Sequence, residues 1–308
     1  MATMEHAIEL DEVTKRFGAQ TAVDRLELRV PKGSIYGFIG PNGSGKTTTL
    51  RMILRILQPD TGKVRVLGQE FGATADNRLG YLPEERGLYK RMRVYDLLAY
   101  FARLKGLRNS RPAIMHWLER LDAQPWARKR IDTLSKGMAQ KIQFIAAVVA
   151  SPQLIVLDEP FSGLDPVNLE SLRDAILELR NQGTTVVLST HDMDIAERMC
   201  DTIFMIFKGQ KVLDGSMDAI HRQYPANHIR VRLEDAEADL PHLNGVHSIE
   251  RIGRFIEFII SDEISSQNVL RQLAEQTSLT HFELVKPSLH DIFIHIARPN
   301  RNGQGTEN

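Results

Sequence analysis

Nine residues, Gly40-Pro41-Asn42-Gly43-Ser44-Gly45-Lys46-Thr47-Thr48, fit the pattern G-x-x-x-x-G-K-[S/T], whose chemistry is the holding of phosphate. The glycines let the backbone curl until successive N–H groups point inward, and a following helix N-terminus adds partial positive charge. Lys46 brings a mobile full charge to the β- and γ-phosphates of a nucleotide, and Thr47 offers a hydroxyl to Mg²⁺. A second cluster ends the apolar run Leu154-Ile155-Val156-Leu157 with two carboxylates, Asp158 and Glu159, in the form of a Walker B motif. Asp158 is suited to hold Mg²⁺ directly or through water, and Glu159 to orient and deprotonate an attacking water. Together the two clusters predict nucleotide hydrolysis.

Such residues need strand ends and helix starts to position them. Ser34 to Ile39 is short, apolar and aromatic, as a buried parallel strand should be, and Leu50, Ile53, Leu54 and Leu57 fall on one helical face after the loop. Runs at Ala7 to Val13, Arg25 to Val30 and Lys63 to Leu67 give a β-rich opening. Val94, Leu97, Leu98, Phe101 and Leu104 share one helical face, and Ile114, Trp117, Leu118 and Leu121 another, which predicts an inserted helical subdomain from about 88 to 150. From residue 139 the chain alternates helix and strand, with Asp165-Pro166 as N-cap and first-turn proline of one helix. The fold class is therefore α/β, a P-loop NTPase with a parallel sheet, whose phosphate sites lie at the carboxyl ends of the strands. Gly40, Asp158 and His191 all fall there.

Beyond Tyr224-Pro225 the rhythm changes to strand, short helix, strand, strand, helix, strand, the βαββαβ order of a small α+β ferredoxin-like domain, closed by an amphipathic helix at Ser288 to Ile296. The expected domains are 1–224 and 225–298, followed by a disordered polar tail at 299–308.

The 308 residues suffice for two domains. Lys plus Arg number 39 and so do Asp plus Glu, a balance that argues against nucleic acid or an anionic membrane surface as partner. Two basic clusters, Lys90, Arg91 and Arg93, then Arg128, Lys129 and Arg130, read as solvated helix faces or as contacts for an acidic partner. The longest apolar run, Phe144 to Ala150, is far below the ~20 residues of a membrane-spanning helix. Met1 to His6 has neither the basic nor the apolar region of a secretory signal. Cys200, the single cysteine, forms no internal disulfide, fits a reducing compartment and reads as packing.

Leu134-Ser135-Lys136-Gly137-Met138, opening a helix, resembles the LSGGQ signature of ABC-type ATPases. Ser162-Gly163-Leu164-Asp165 looks like the D-loop of that family, His191 like its H-switch, and Phe17 is placed like its aromatic A-loop residue. Motif order and spacing match from about residue 5 to 222. The resemblance implies a head-to-tail dimer with a second copy or a homologous subunit, binding two ATP with Mg²⁺, in which Ser135 and Gly137 of one chain complete the phosphate site of the other. Read as residues, Ser135 is either a plain N-cap or a donor to a γ-phosphate. His191 is either a satisfied buried histidine or a contact to phosphate or water, and Phe17 either packs in the core or stacks on adenine.

The chain departs from the family pattern in three places. Lys136 stands at a signature glycine, adding a cation near phosphate or pointing to solvent, and Met138 stands at the terminal glutamine, with Gln140 close behind. In the segment Tyr81-Leu82-Pro83-Glu84-Glu85-Arg86-Gly87-Leu88, Glu84 takes the place of the Q-loop glutamine. A carboxylate there still binds Mg²⁺ or accepts from water, but adds charge beside phosphate and predicts slow or tightly gated hydrolysis.

One phosphate loop per chain implies a dimer of two chains. Ser135 follows Lys46 by only 89 residues, too few for the long coiled coils of relatives that act on chromosomes. The variant signature, the Glu84 segment, the loop after Phe161 and the C-terminal unit together are similar to bacterial type-2 ABC exporters of the sodium-extrusion and drug-export kind. That implies an integral-membrane permease as partner, coupled through residues 84–108, at the cytoplasmic face of a bacterial membrane. The C-terminal domain would stabilise the dimer, bind a small regulatory ligand or merely pack, with dimer contact the preferred reading. The alternatives are an ABC-type ATPase acting on nucleic acid and a nucleotide-gated regulatory module with little turnover.

Overall fold

The computed structural model describes residues 5–70, 77–85, 87–224, 228–234, 243, 246–260 and 266–297. The chain divides into two compact units, Met1–Ser216 and Met217–Asn308.

The first unit is built on two sheets. One is antiparallel, with strands β1 (His6–Phe17), β2 (Gln20–Pro31), β4 (Thr61–Val66) and β5 (Gln69–Glu70) in the order β2-β1-β4-β5. Burial alternates along β2, so one face packs inward and the other meets solvent. The other sheet has six strands: β3 (Ile35–Ile39), β6 (Leu79–Leu82), β7 (Leu154–Asp158), β8 (Thr185–Thr190), β9 (Thr202–Phe207) and β10 (Gln210–Gly215), in the order β10-β9-β3-β8-β7-β6. Every residue of β3, β7 and β8 is buried, as expected of parallel strands covered on both faces. The parallel register pairs Ile39 with Thr190 and Asp158 with Ser189, which brings three strand ends to one level.

Two apolar cores flank the large sheet. One joins the sheets through Ile8, Leu28, Phe38, Leu50, Val156 and Phe204, with Phe38 and Phe204 stacked at 4.7 Å. The other lies under helices α2 (Val94–Leu104), α3 (Arg111–Arg120), α4 (Lys136–Val148) and α5 (Pro166–Asn181), where Trp117 meets Phe144 edge-on at 5.8 Å. Asp165 N-caps α5 by accepting the Asn168 N–H at 3.0 Å, with Pro166 in the first turn.

Two details differ from the periodicity. Helix α1 (Lys46–Ile53) is shorter than its apolar spacing suggests: Leu54 caps it, Arg55 adopts φ 61°, and Leu57 reaches the core from beyond the helix end. On α2, Leu104 shares the apolar stripe yet is 59% exposed. Both basic clusters are solvent-facing. Helix α6 (Met193–Met199) follows β8.

The second unit begins with α7 (Met217–Gln223), continues through β11 (His228–Leu233), β12 (Val246–Ile252), β13 (Phe255–Ile260), α8 (Ser266–Gln276) and β14 (Leu279–Val285), and ends with α9 (Leu289–Ala297). Its sheet order is β12-β13-β11-β14 with antiparallel neighbours throughout, the arrangement expected of a ferredoxin-like chain. Val269 and Leu273 of α8 share a core with Ile229, Val231 and Phe258. The helix expected between the first two strands, Pro225 and the tail at 299–308 fall largely or wholly outside the described residues.

Candidate active site

β3 delivers the chain to the phosphate loop under steric constraint. A Cβ on Gly40 would strike the Ile206 carbonyl oxygen, and one on Gly45, at φ 112°, would lie 2.6 Å from the Ala22 carbonyl oxygen. Only glycine fits either place. The loop is tied to β9 and β10 by the Gly209 N–H, which donates to the Ser44 carbonyl at 2.8 Å. The Ser44 hydroxyl is buried with no hydrogen-bond partner.

Lys46 is buried, and its ammonium donates to the carbonyls of Gly40 and Pro41 inside the loop. Burial lowers its pKa, while Glu159, Asp158 and Glu84 pull the other way. Asp158 is also buried: desolvation pushes its pKa up, and the Glu84 and Glu159 carboxylates add to that while Lys46 opposes it. Three carboxylates around one ammonium leave the pocket short of positive charge.

Glu159 sits just past β7 in the left-handed region, φ 49°, with its N–H on the Ser189 carbonyl at 2.9 Å. Its carboxylate is held from the end of β8. Oε1 accepts the His191 N–H at 2.8 Å and lies 2.7 Å from His191 Nδ1, and Oε2 accepts the Thr190 hydroxyl at 3.2 Å. The imidazole is 66% exposed against 11% for the Glu159 side chain, so His191 is a surface partner of the carboxylate and no core histidine.

A cavity of about 330 Å³ is lined by Phe17, Pro41, Asn42, Gly43, Gly45, Lys46, Thr47, Thr48, Glu84, Asp158, Glu159 and His191. Gly40 and Ser44 stand behind that surface. Phe17 is 53% exposed, which removes the core-packing alternative, and Lys15 Nζ, tethered to Asp60 at 2.7 Å, lies 5.8 Å from its ring centroid. Gln20 and Ala22, on the same β-hairpin, also line the cavity and carry no motif of their own. Their sequence signal was adjacency to Phe17.

Ser135 and Gly137 are not part of this cavity. Ser135 N-caps α4, its Oγ accepting the Met138 N–H at 3.3 Å. A Cβ on Gly137 would meet Leu164 Cδ2 at 3.5 Å and Asn168 Nδ2 at 3.6 Å, so the signature turn packs on the loop that follows Glu159.

A family profile described as "ABC transporter" matches residues 23–162, and one described as "ATP-binding protein DrrA1-3-like, C-terminal domain" matches residues 215–297. An uncharacterized ABC transporter ATP-binding protein of Bacillus subtilis, YhaQ, is 41% identical over 290 residues, covering 93% of this chain and 97% of that one. The chain belongs to the ABC transporter ATP-binding proteins. A Nod factor export ATP-binding protein I of Rhizobium sp. is 32% identical over 295 residues, covering 94% of this chain and 96% of its own. A solved structure titled as the ATP binding subunit of an ABC transporter superposes with a TM-score of 0.68 at 28% identity, over 71% of this chain and 93% of that one.

As an ABC transporter ATP-binding protein the chain binds ATP and hydrolyses it to drive transport. Such subunits serve membrane permeases, and among the described residues no helix is long and apolar enough to cross a membrane itself. The donor set also fits Mg²⁺. Among the described residues no group of three or more His, Cys, Asp or Glu is arranged to hold a metal unaided. The cavity instead offers Asp158, Glu84 and the Thr47 hydroxyl beside a phosphate cradle. A few oxygen ligands completed by substrate phosphates and water is how Mg²⁺ is usually held.

Proposed function

We propose that this protein is the motor of an exporter and works as a pair of chains, each completing the ATP site of the other. The observation that carries this reading is the split in the site. The cavity gathers the phosphate loop, Asp158, Glu159, Glu84 and His191, while Ser135 and Gly137 lie outside it on the same chain. A second copy, or a homologous subunit, presenting its signature turn supplies what is missing.

In the proposed cycle Phe17 stacks on adenine and the backbone of Asn42 to Thr48 wraps the phosphates. Lys46 exchanges the carbonyls of Gly40 and Pro41 for phosphate oxygens. Thr47 and Asp158, with Glu84 directly or through water, would hold Mg²⁺, whose charge would offset that of the phosphates. Glu159 orients the attacking water and takes its proton as the water oxygen bonds to the γ-phosphorus and the bond to ADP breaks. His191, already on Glu159 Oε1, holds that carboxylate in place until a γ-phosphate offers the imidazole a better acceptor. The partner chain's Ser135 hydroxyl and the N-terminus of its α4 meet the same γ-phosphate.

Export is supported by the similarity to the Nod factor export ATP-binding protein and by the DrrA-like C-terminal match. The permease seat is proposed at an apolar groove of about 430 Å³ lined by Ile56, Tyr81, Pro83, Leu88 and Phe101, where the segment after Glu84 passes. Ile56 (64%), Tyr89 (52%) and Leu104 stand exposed at or near it, an apolar surface suited to a partner. Seated on a permease, the pair works at the cytoplasmic face of the membrane. We assign the C-terminal unit to contact within the pair.

The test is Mg²⁺-dependent phosphate release by the full chain, together with its mass in solution with ATP. Glu159→Gln should keep ATP binding, lose phosphate release and accumulate as an ATP-dependent dimer, and Ser135→Ala should weaken that dimer. A Glu159→Gln chain that stays monomeric at saturating ATP sinks the paired reading. Absence of phosphate release from the unaltered chain favours a regulatory module.

A further inference from the structure

The side chain at position 136 has a specific place. Lys136 is the first residue of α4, exposed at its end, and its stem lies across Gly163. A Cβ built on Gly163 would collide with Lys136 Nζ, would lie 2.6 Å from Cε, and would come within 3.1 Å of Cδ. Gly163 also has φ 69°, a conformation that side chains rarely adopt. The two positions are complementary: the signature carries a long side chain where its family pattern has none, and the facing residue has no side chain to obstruct it.

The contact belongs to a short seam. One residue on, Gly137 packs against Leu164 and Asn168, and one turn on, the buried Gln140 amide donates to the Pro160 carbonyl at 3.0 Å. The strip it grips, 160–165, is the turn leaving Glu159, closed by the Ser162 N–H on the Glu159 carbonyl at 3.2 Å. Glu159 is held at its carboxylate by the end of β8 and at its backbone by this turn. Any shift of the signature end of α4 is therefore felt one turn from the base.

We propose that Lys136 is a positioning residue of hydrolysis: the outer half of its side chain, lying on Gly163, fixes the turn that sets Glu159 and links it to the signature. The ammonium and the last two methylenes all lie over Gly163, on a side chain that is otherwise exposed. The inference rests on the reading of Glu159 as the base.

The test is a set of full-chain variants assayed for kcat and for KM of ATP. Lys136→Gly should lower kcat about tenfold with KM nearly unchanged, because a displaced base affects the transition state more than ATP binding. Lys136→Met, which keeps the stem and drops the charge, should retain at least half of kcat. Lys136→Met as impaired as Lys136→Gly would assign the effect to charge. Unaltered kcat in Lys136→Gly would remove the clamp. Glu159→Gln run beside them keeps the two ideas apart: hydrolysis surviving in Glu159→Gln refutes the base assignment, whatever Lys136 does.

Discussion

The two anion-handling turns of the first unit are built to different degrees of completion. At the phosphate loop Gly45 is jammed against Ala22, Lys46 is buried and bonded to the loop's own carbonyls, and Ser44 is locked to Gly209. At the signature, Ser135 and Lys136 stand exposed at the start of α4, where the Ser135 hydroxyl serves as an N-cap. Both present a helix N-terminus. The first has its ligand's place already shaped, and the second has a surface that waits for one. On the proposed reading, a site divided this way would bind nucleotide with one half and sense its γ-phosphate with the other.

The sharpest way to break that comparison is to disable each half and ask which quantity falls. Glu159→Gln should reduce phosphate release by about 10³-fold or more while ATP still binds, as loss of a general base in a positioned site does. Ser135→Ala should reduce kcat by roughly 10- to 100-fold, the scale of losing one donor to developing charge, with ATP affinity of the isolated chain unmoved in a fluorescent-nucleotide titration. If Ser135→Ala instead weakens ATP binding by one chain, the signature belongs to the same half as the phosphate loop.

Glu84→Gln should change turnover by only about two- to fivefold, with a raised rate and a weaker Mg²⁺ requirement, because one carboxylate leaves a pocket crowded with them. An unchanged Mg²⁺ dependence counts against Glu84 as a metal or water partner. Smallest in scale is a stability effect. Burial raises the Asp158 pKa, so its charged form is disfavoured in the fold, and the penalty grows as pH rises from the unfolded pKa through the raised folded one. Asp158→Asn should therefore stabilise the nucleotide-free protein at neutral pH by about 1 kcal/mol in denaturant melts, and the gain should shrink in acid. A gain independent of pH would mean that Asp158 charge is not its source.

Much of the phosphate-loop half was legible in sequence because phosphate holding admits few residues: Gly40 and Gly45 are forced by their neighbours, and Lys46 and Asp158 are buried charges, at a helix start and a strand end. The alternation of elements carried the sheet, and the βαββαβ rhythm carried the order of the second one. Other features were not legible, since they depend on which non-adjacent backbones meet. Gln20 and Ala22 line the cavity only because a hairpin from the antiparallel sheet is pressed onto the phosphate loop. The hold of Thr190 and His191 on Glu159 needs the register of β7 against β8. Leu57 and Leu104 misled in the same way, for a helix stripe says which residues are apolar and not where the helix stops or what covers it.

The pressing of that hairpin onto Gly45 has one more consequence. Phe17 and the phosphate cradle line one cavity, and Lys15, paired with Asp60, lies 5.8 Å from the centre of the ring. With Phe17 taking the base as proposed, such a cavity would measure the length from base to terminal phosphate. An aromatic face registers the flatness of a base and is tolerant of its edge substituents. On that proposal fuel choice is a matter of reach, and a purine triphosphate of equal length should be a near substitute.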